Sequence, residues 1–108
     1  MNNNNQYDIE LLIKYYQGAI MLNDTFPNLY NEEANNQYGR LVTQLTAIRQ
    51  AIIEKDLIIL NELYEPLQEV FINEEHFSIL EEVIIFYKRN PDTNYDVVAA
   101  KQYLNNHL

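Results

Sequence analysis

The sequence predicts an all-α protein, a compact bundle of four to five helices joined by short loops. Only two glycines and three prolines interrupt its 108 residues. Apolar residues recur at spacings of three and four, as on one side of a helix, and the strict alternation of a half-buried strand is absent. Because one domain of this length buries roughly two-thirds of its unfolded surface, the chain is long enough to form its own core.

Five segments carry the helical pattern, and their predicted bounds are residues 7–23, 29–55, 57–72, 74–89 and 93–107. The first segment has one apolar stripe at helical spacing, formed by Ile9, Leu12, Ile13, Tyr16 and Ile20. Three further residues are expected to widen that stripe, namely Leu11, Tyr15 and Leu22. The segment ends before Pro27, because proline lacks the amide hydrogen that continues a helix.

The second segment has six residues separated alternately by four and three: Ala34, Tyr38, Leu41, Leu45, Ile48 and Ile52. This period of 3.5 residues is typical of helices that pack side by side. Because the stripe covers under three heptads, packing within one chain is preferred to a self-standing coiled coil. One alternative stays open, namely a structural or assembly protein that forms a homodimer through this stripe of helix 2.

Helix boundaries in the second half of the chain follow from capping residues and prolines. Asp56 and Asn73 are the expected N-caps of the third and fourth segments, because short polar side chains accept hydrogen bonds from the first free amides. A break near Lys55 separates the second segment from the third, and Pro66 is expected to kink the third. The fourth segment ends in two basic residues, which the negative end of a helix dipole favours.

Composition narrows the classes of function. A formal charge of −9 argues against direct binding to DNA, RNA or an anionic membrane surface. The absence of cysteine excludes disulfides, and no apolar run approaches the roughly 18 residues that span a bilayer. The Asn-rich residues 1–6 lack a signal-peptide pattern and are predicted to be disordered, ahead of a single helical domain at 7–108. These features favour a cytoplasmic protein.

Nearly all of the net charge lies in one stretch. From Asp56 to Tyr87 there are eight acidic residues and no lysine or arginine. On a helical wheel, Glu62, Glu65 and Glu69 share one face of the third segment. Four more glutamates share part of the fourth segment: Glu74, Glu75, Glu81 and Glu82. If these two segments form a hairpin, the two acidic faces meet in one surface.

This acidic surface has two interpretations. In the first, it is a solvated face that aids solubility. In the second, it is a docking surface for a basic protein, because opposite charges attract a partner and help to select it. The candidate partner-binding residues are the seven glutamates together with Tyr64 and Ile85. Ile85 projects beside Glu81 and Glu82 on a helix that is apolar nearly all round, so burial in the bundle and contact with a second chain are alternatives for it.

Catalysis and metal chemistry find little support in the residue pattern. The two histidines, His76 and His107, are expected to lie on the surface, and neither has a nucleophile at a supporting spacing. A phosphate-binding loop, a dinucleotide fingerprint and a helical di-metal motif are all absent from the sequence. Calcium sites require a preformed loop of oxygen ligands, which is also missing. We therefore expect a chain that is not an enzyme and that uses no cofactor and no metal.

Three functions stay open on this sequence. The first is a small inhibitor or antagonist, of phage or mobile-element type, that covers a basic surface of a partner, including a nucleic-acid-binding one. The second is an immunity protein or antitoxin that neutralises a bacterial toxin. The third is the assembly protein that oligomerises through helix 2. Bacteriocin immunity proteins, phage-encoded inhibitors and antitoxins include helical bundles of about this length, which is a likeness of size and style alone.

Overall fold

Six α-helices and a short 3-10 turn form the fold in the computed structural model, which describes residues 5–26, 28, 31–71 and 73–107. The turn is Asn5–Tyr7, and the helices are α1 (Asp8–Thr25), α2 (Glu32–Glu54), α3 (Leu57–Tyr64), α4 (Leu67–Val70), α5 (Glu74–Arg89) and α6 (Val97–Asn106). Over these described ranges there is no strand. Five of the helices have eight or more residues, so the predicted all-α bundle is confirmed.

Side-chain caps begin the helices where the sequence predicted them. The Asp56 carboxylate accepts a hydrogen bond from the amide of Ile59 at 3.0 Å, and the Asn73 side chain accepts one from the amide of His76 at 3.1 Å. Between α2 and α3, Lys55 adopts left-handed dihedral angles with a φ of 58°, which ends one helix before the next begins. The predicted break near Lys55 is therefore confirmed.

Two boundaries differ from the prediction. The third segment divides into α3 and α4, because Pro66 has no amide hydrogen to continue the helical hydrogen bonds. Glu65 and Pro66 nevertheless keep right-handed helical dihedral angles, and the interruption falls at the proline where the sequence predicted a kink. The last helix begins after Asp96 rather than at residue 93, since the Asp96 carboxylate accepts from two amides of the first turn at 3.0 and 3.1 Å.

Some predictions fall on residues outside the described part of the chain: residues 1–4 of the Asn-rich tract, Pro27, Leu29, Tyr30, Ile72 and Leu108. The predicted start of the second helix at residue 29 and the predicted end of the third at residue 72 belong to this group. Asn5 and Gln6, which the sequence analysis placed in a disordered tract, belong to the 3-10 turn.

The helices run up and down beside one another. α1 and α2 are antiparallel, with Glu10 near the start of α1 paired to Arg49 near the end of α2. The α3–α4 segment returns along α2, where the Gln37 side chain donates a hydrogen bond to the carbonyl of Val70. α5 then runs beside α1, and α6 packs against the start of α1 and the 3-10 turn.

The core lies between these helices, and the stripe of α2 is at its centre. Leu41, Leu45, Ile48 and Ile52 are at most 3% exposed. The stripe is therefore used within the chain, which leaves the hypothesis of oligomerisation through helix 2 without a free apolar surface at these four residues.

The two sides of α1 are both apolar, and only one of them faces the core. Ile9, Leu12, Ile13 and Tyr16 are buried, as the sequence predicted. The expectation that Tyr15 and Leu22 widen this buried stripe is wrong, because they are 56% and 57% exposed. The outer side of α1 is therefore a separate surface.

The Glu10 carboxylate of α1 contacts both α2 and the segment before α6 at one end of the bundle. Glu10 accepts hydrogen bonds from the Arg49 guanidinium at 2.8 Å and from the Tyr95 hydroxyl, and its side chain is only 12% exposed. Beside it, Asp8 accepts a hydrogen bond from the Tyr103 hydroxyl of α6. Hydrogen bonds to an ionised acceptor are roughly twice as strong as neutral ones. Two tyrosine–carboxylate bonds therefore hold the C-terminal part of the chain to α1.

Replacing Glu10 by alanine is expected to destabilise the fold, because Arg49 and Tyr95 lose their shared acceptor in a partly buried site. We expect the free energy of unfolding to fall by about 1–3 kcal/mol, measured by urea denaturation followed by circular dichroism. Glu62→Ala is the matched control, since Glu62 is exposed and unpaired, and it should stay within about 0.5 kcal/mol of the wild-type value. Equal stability of the two variants contradicts the role given to Glu10.

Candidate functional site

The glutamates of the α3–α4 segment lie on one exposed face. Glu62 belongs to α3, Glu65 follows its last residue, and Glu69 belongs to α4, and all three are exposed. Because the intervening residues keep helical dihedral angles, the three side chains fall within about 60° of one another on the helical wheel. Ile58, which is 73% exposed, shares this face one turn before Glu62. Ile58 was not among the predicted site residues, although its spacing of four from Glu62 places both residues on the same face of a helix.

The other four glutamates lie on the outer side of α5, and all are exposed. Glu74 and Glu75 occupy the first turn, where the helix dipole favours negative charge. Glu81 and Glu82 follow two turns later, and Ile85 lies one turn beyond them with 40% exposure. Burial inside the bundle, which was one of the two alternatives for Ile85, is therefore wrong.

Tyr64 connects α3 to α5. Its ring stacks on the ring of Phe77, with centroids 5.6 Å apart and planes inclined by 13°. Its hydroxyl donates a hydrogen bond to the Glu81 carboxylate at 3.0 Å. Burial and this hydrogen bond raise the pKa of Tyr64 to about 12, so the hydroxyl stays protonated and remains a donor at neutral pH. The Tyr64–Glu81 bond therefore links the acidic residues of α5 to those of α3.

Glu82 lies close enough to the start of α1 for its charge to act on Asp8. Burial raises the pKa of the Asp8 carboxyl, the hydrogen bond from Tyr103 lowers it, and the negative charge of Glu82 contributes a further increase. Glu81 and Glu82 thus have neighbours on different helices. Glu82 forms the edge of the acidic surface that faces α1.

Glu82 aside, the glutamates of the acidic stretch form no ion pair with a lysine or arginine among the described residues. One ion pair, Arg49–Glu10, occurs in the ranges that the structure describes, and neither partner belongs to the acidic stretch. Lys55 donates to a backbone carbonyl, that of Asp92, at 3.3 Å. The ammonium group of Lys88 lies 6.0 Å from the centre of the Tyr64 ring, at the border of the surface. The glutamates therefore present negative charge that other molecules can contact.

A small cavity, which the sequence analysis did not predict, opens beside the start of α5. Its volume is about 180 Å³, and it is lined by Tyr15, Tyr16, Gln37, Tyr38, Leu41, Asn73 and His76. His76 is partly buried here instead of lying on the surface, and its Nδ1 is 2.7 Å from the Tyr16 hydroxyl oxygen. The one sequence feature that pointed to this cavity was the adjacent pair Tyr15 and Tyr16. Neighbouring residues of a helix cannot both face one core, so one of the two rings has to lie outside it.

The Tyr16–His76 pair lacks the third group that a nucleophile and base require. Burial raises the pKa of Tyr16 to about 12 and lowers the pKa of His76. The close aromatic neighbours of the His76 ring are the Tyr15 and Tyr16 rings. The charge of Glu75 acts on His76, but among the described residues no carboxylate forms a hydrogen bond that orients the ring. The pair serves the packing between α1 and α5.

Neither a metal site nor a membrane-spanning helix occurs in the described ranges. No group of three or more histidine, aspartate or glutamate side chains there is arranged to hold a metal ion. None of the helices in that part of the chain combines the length and the apolar character needed to cross a bilayer.

Comparison with known proteins gives no relative: no protein family, no curated protein and no solved structure matches this chain.

Acidification is expected to weaken the fold through His76. Burial lowers the pKa of His76 in the folded state, whereas an unfolded chain has a histidine pKa of about 6.5. Below that pH the unfolded state binds more protons than the folded state, so the free energy of unfolding falls as the pH falls. Above it, both states are neutral at this position and the contribution is constant.

The free energy of unfolding is measured by urea denaturation at pH values from about 7.5 down to about 5.5. His76→Gln should flatten this dependence, and His107→Gln, at the exposed end of the chain, should retain it. The same pH dependence in wild type and in His76→Gln would show that other groups cause it.

Proposed function

We propose that this chain is a non-enzymatic protein-binding module whose acidic surface covers a basic surface of a partner protein. The acidic surface consists of the seven glutamates together with Tyr64, Ile85 and Ile58. The observation that carries the proposal concerns the six glutamates other than Glu82. All six are exposed, and no lysine or arginine among the described residues forms an ion pair with them.

The electrostatic cost of this surface supports a role in binding. Neighbouring like charges on a helix destabilise it by a few tenths of a kcal/mol per pair. Several such pairs together cost about 1 kcal/mol, which is a real fraction of the 5–15 kcal/mol that stabilises a typical domain. A cationic partner converts this repulsion into attraction, and opposite charge also accelerates encounter and selects the partner.

Two exposed isoleucines give the surface an apolar component beside its charge. Ile58 is 73% exposed one turn before Glu62, and Ile85 is 40% exposed one turn after Glu81. Protein interfaces combine buried apolar residues with a polar rim. The partner that fits this surface therefore presents apolar side chains among its lysines and arginines, so that part of the affinity persists when salt screens the charges.

The row of carboxylates also suggests what kind of basic surface is covered. Glu62, Glu65 and Glu69 extend over roughly 10 Å of helix. A groove that binds successive phosphates carries lysines and arginines in such rows, so a nucleic-acid-binding protein is a suitable partner. An antagonist and a toxin-neutralising immunity protein would use the same surface, and they differ only in the identity of that partner.

A matched pair of charge-reversal variants tests the proposal. The test variant reverses three charges of the acidic surface: Glu62→Lys, Glu65→Lys and Glu69→Lys. The control variant reverses three exposed carboxylates elsewhere: Glu33→Lys, Glu54→Lys and Asp92→Lys. Both variants have the same net charge, so a difference between them reports the position of the charges.

The probe is a fluorescent oligolysine peptide, titrated at about 50 mM and about 500 mM salt. The test variant should bind it about tenfold more weakly than wild type, and the control should bind within about twofold of wild type. Circular dichroism should show unchanged helix content in both variants. Equal weakening of binding in the two variants would mean that only net charge matters, and the proposal would fail.

A further inference from the structure

The cavity beside the start of α5 is lined mainly by aromatic rings. Four of its seven lining residues are Tyr15, Tyr16, Tyr38 and His76, and its volume is about 180 Å³. Tyr16 is buried, Tyr38 and His76 are partly buried, and Tyr15 is exposed, so the rings extend from the inner end of the cavity to its opening. Because sites for drug-sized ligands enclose about 300–1,000 Å³, this space fits the end of one side chain. We call it the tyrosine cavity.

Neighbouring rings of the tyrosine cavity lie close enough to act on one guest together. The ring centroids of Tyr16 and Tyr38 are 5.8 Å apart, and those of Tyr15 and His76 are 4.6 Å apart. An aromatic face attracts a cation that lies within about 6 Å of the ring centre. A cation inside the cavity is therefore within reach of more than one ring, and the attraction is stronger there than on an open surface because water is partly excluded.

The charges around the tyrosine cavity select a cation rather than an anion. No lysine or arginine is among its lining residues. Burial lowers the pKa of His76, so its ring is neutral at neutral pH, and the negative charge of Glu75 acts on it. Glu74 and Glu75 occupy the first turn of α5, directly after the lining residue Asn73. The cavity therefore adjoins the acidic surface, and an anion that approached it would meet these two carboxylates.

Unused hydrogen-bond acceptors favour arginine over lysine as the guest. The hydroxyl groups of Tyr15 and Tyr38 have no hydrogen-bond partner among the described residues. The Gln37 side chain donates to the carbonyl of Val70, which leaves its own oxygen as an acceptor. A guanidinium group has five N–H donors in one plane, stacks on aromatic rings and is weakly hydrated, whereas a lysine ammonium is compact and strongly hydrated. Arginine thus loses less hydration on entering the cavity and gains more contacts inside it.

We infer that the tyrosine cavity receives an arginine side chain of the basic partner, with its guanidinium group against the rings of Tyr15 and Tyr38 and close to the charge of Glu75. The inference rests on the proposed function for the nature of the partner, a protein with a basic surface. A few residues seated in pockets carry most of the binding energy of an interface, and arginine is enriched among them. The cavity supplies such a seat at one edge of the acidic surface, while the glutamates attract the other cations of the partner.

Two fluorescent peptides of equal length and equal charge test the inference. One is an oligolysine peptide, and the other is the same peptide with a single arginine at its centre. Titrated into the full chain at about 50 mM salt, the arginine peptide should bind about fivefold more tightly than the oligolysine peptide, because one cation–π contact in a partly desolvated site is worth about that factor.

Variants of the cavity should remove this preference without weakening the binding of the oligolysine peptide. Tyr15→Leu removes an exposed ring at the opening and should reduce the preference to within about twofold. The matched control is Phe26→Leu, which removes a ring of similar exposure, 49% against 56%, that does not line the cavity, and it should retain the preference. Tyr38→Leu is a second test variant on a different helix. Circular dichroism should show unchanged helix content in all three.

The ratio of the two affinities separates this inference from the proposed function. Reversal of Glu62, Glu65 and Glu69 to lysine should weaken the binding of both peptides and leave their ratio unchanged. Equal affinity of the wild-type chain for both peptides overturns the arginine site alone. A preference that persists in both Tyr15→Leu and Tyr38→Leu, or that Phe26→Leu lowers as much as Tyr15→Leu does, also overturns it. If neither peptide binds, both proposals fail.

Discussion

The Glu10 carboxylate is the contact on which the arrangement of charge in this protein depends. It joins α1 to α2 through Arg49 and to the C-terminal part of the chain through Tyr95. The chain has seven lysines and arginines and sixteen acidic residues, so cations are scarce. Because Arg49 pairs with Glu10, it does not neutralise a carboxylate elsewhere. Apolar packing, together with hydrogen bonds such as Tyr103–Asp8 and Tyr64–Glu81, holds the rest of the bundle. One of the few cations thus stabilises the fold at Glu10, away from the acidic residues of α3, α4 and α5.

Much of the fold could be predicted from the sequence because its signals are local. Asp56 and Asn73 cap their helices through amides three residues away. Pro66 interrupts the third segment because it has no amide hydrogen to continue the helix. The start of the last helix could not be predicted in this way, since Asp92 and Asp96 are both suitable caps. Tyr95 decides between them: it is buried and bonded to Glu10, which holds the residues before α6 outside the helix.

The candidate surfaces were predictable only in part, because their relation depends on tertiary contacts. Exposure of the glutamates follows from their charge, whereas the link between α3 and α5 requires the Tyr64 hydroxyl to reach Glu81. The sequence prediction placed Tyr15 and Leu22 with the core-facing stripe of α1, although they lie on its outer side. Both sides of α1 are apolar, and a helical wheel does not show which side meets the core. The chain thus presents two surfaces of opposite character, one acidic and one apolar.

The proposal that α3, α4 and α5 present one acidic surface to a cationic partner is tested most directly by a map of where a cation binds. Amide cross-peaks in a two-dimensional NMR spectrum are followed while a lysine-rich peptide is added at low salt. The account predicts shifts concentrated in residues 58–69 and 74–85, with those of α2 and of the outer side of α1 unchanged. Shifts distributed evenly around all sixteen acidic residues would contradict it, because the peptide would then be responding to net charge alone.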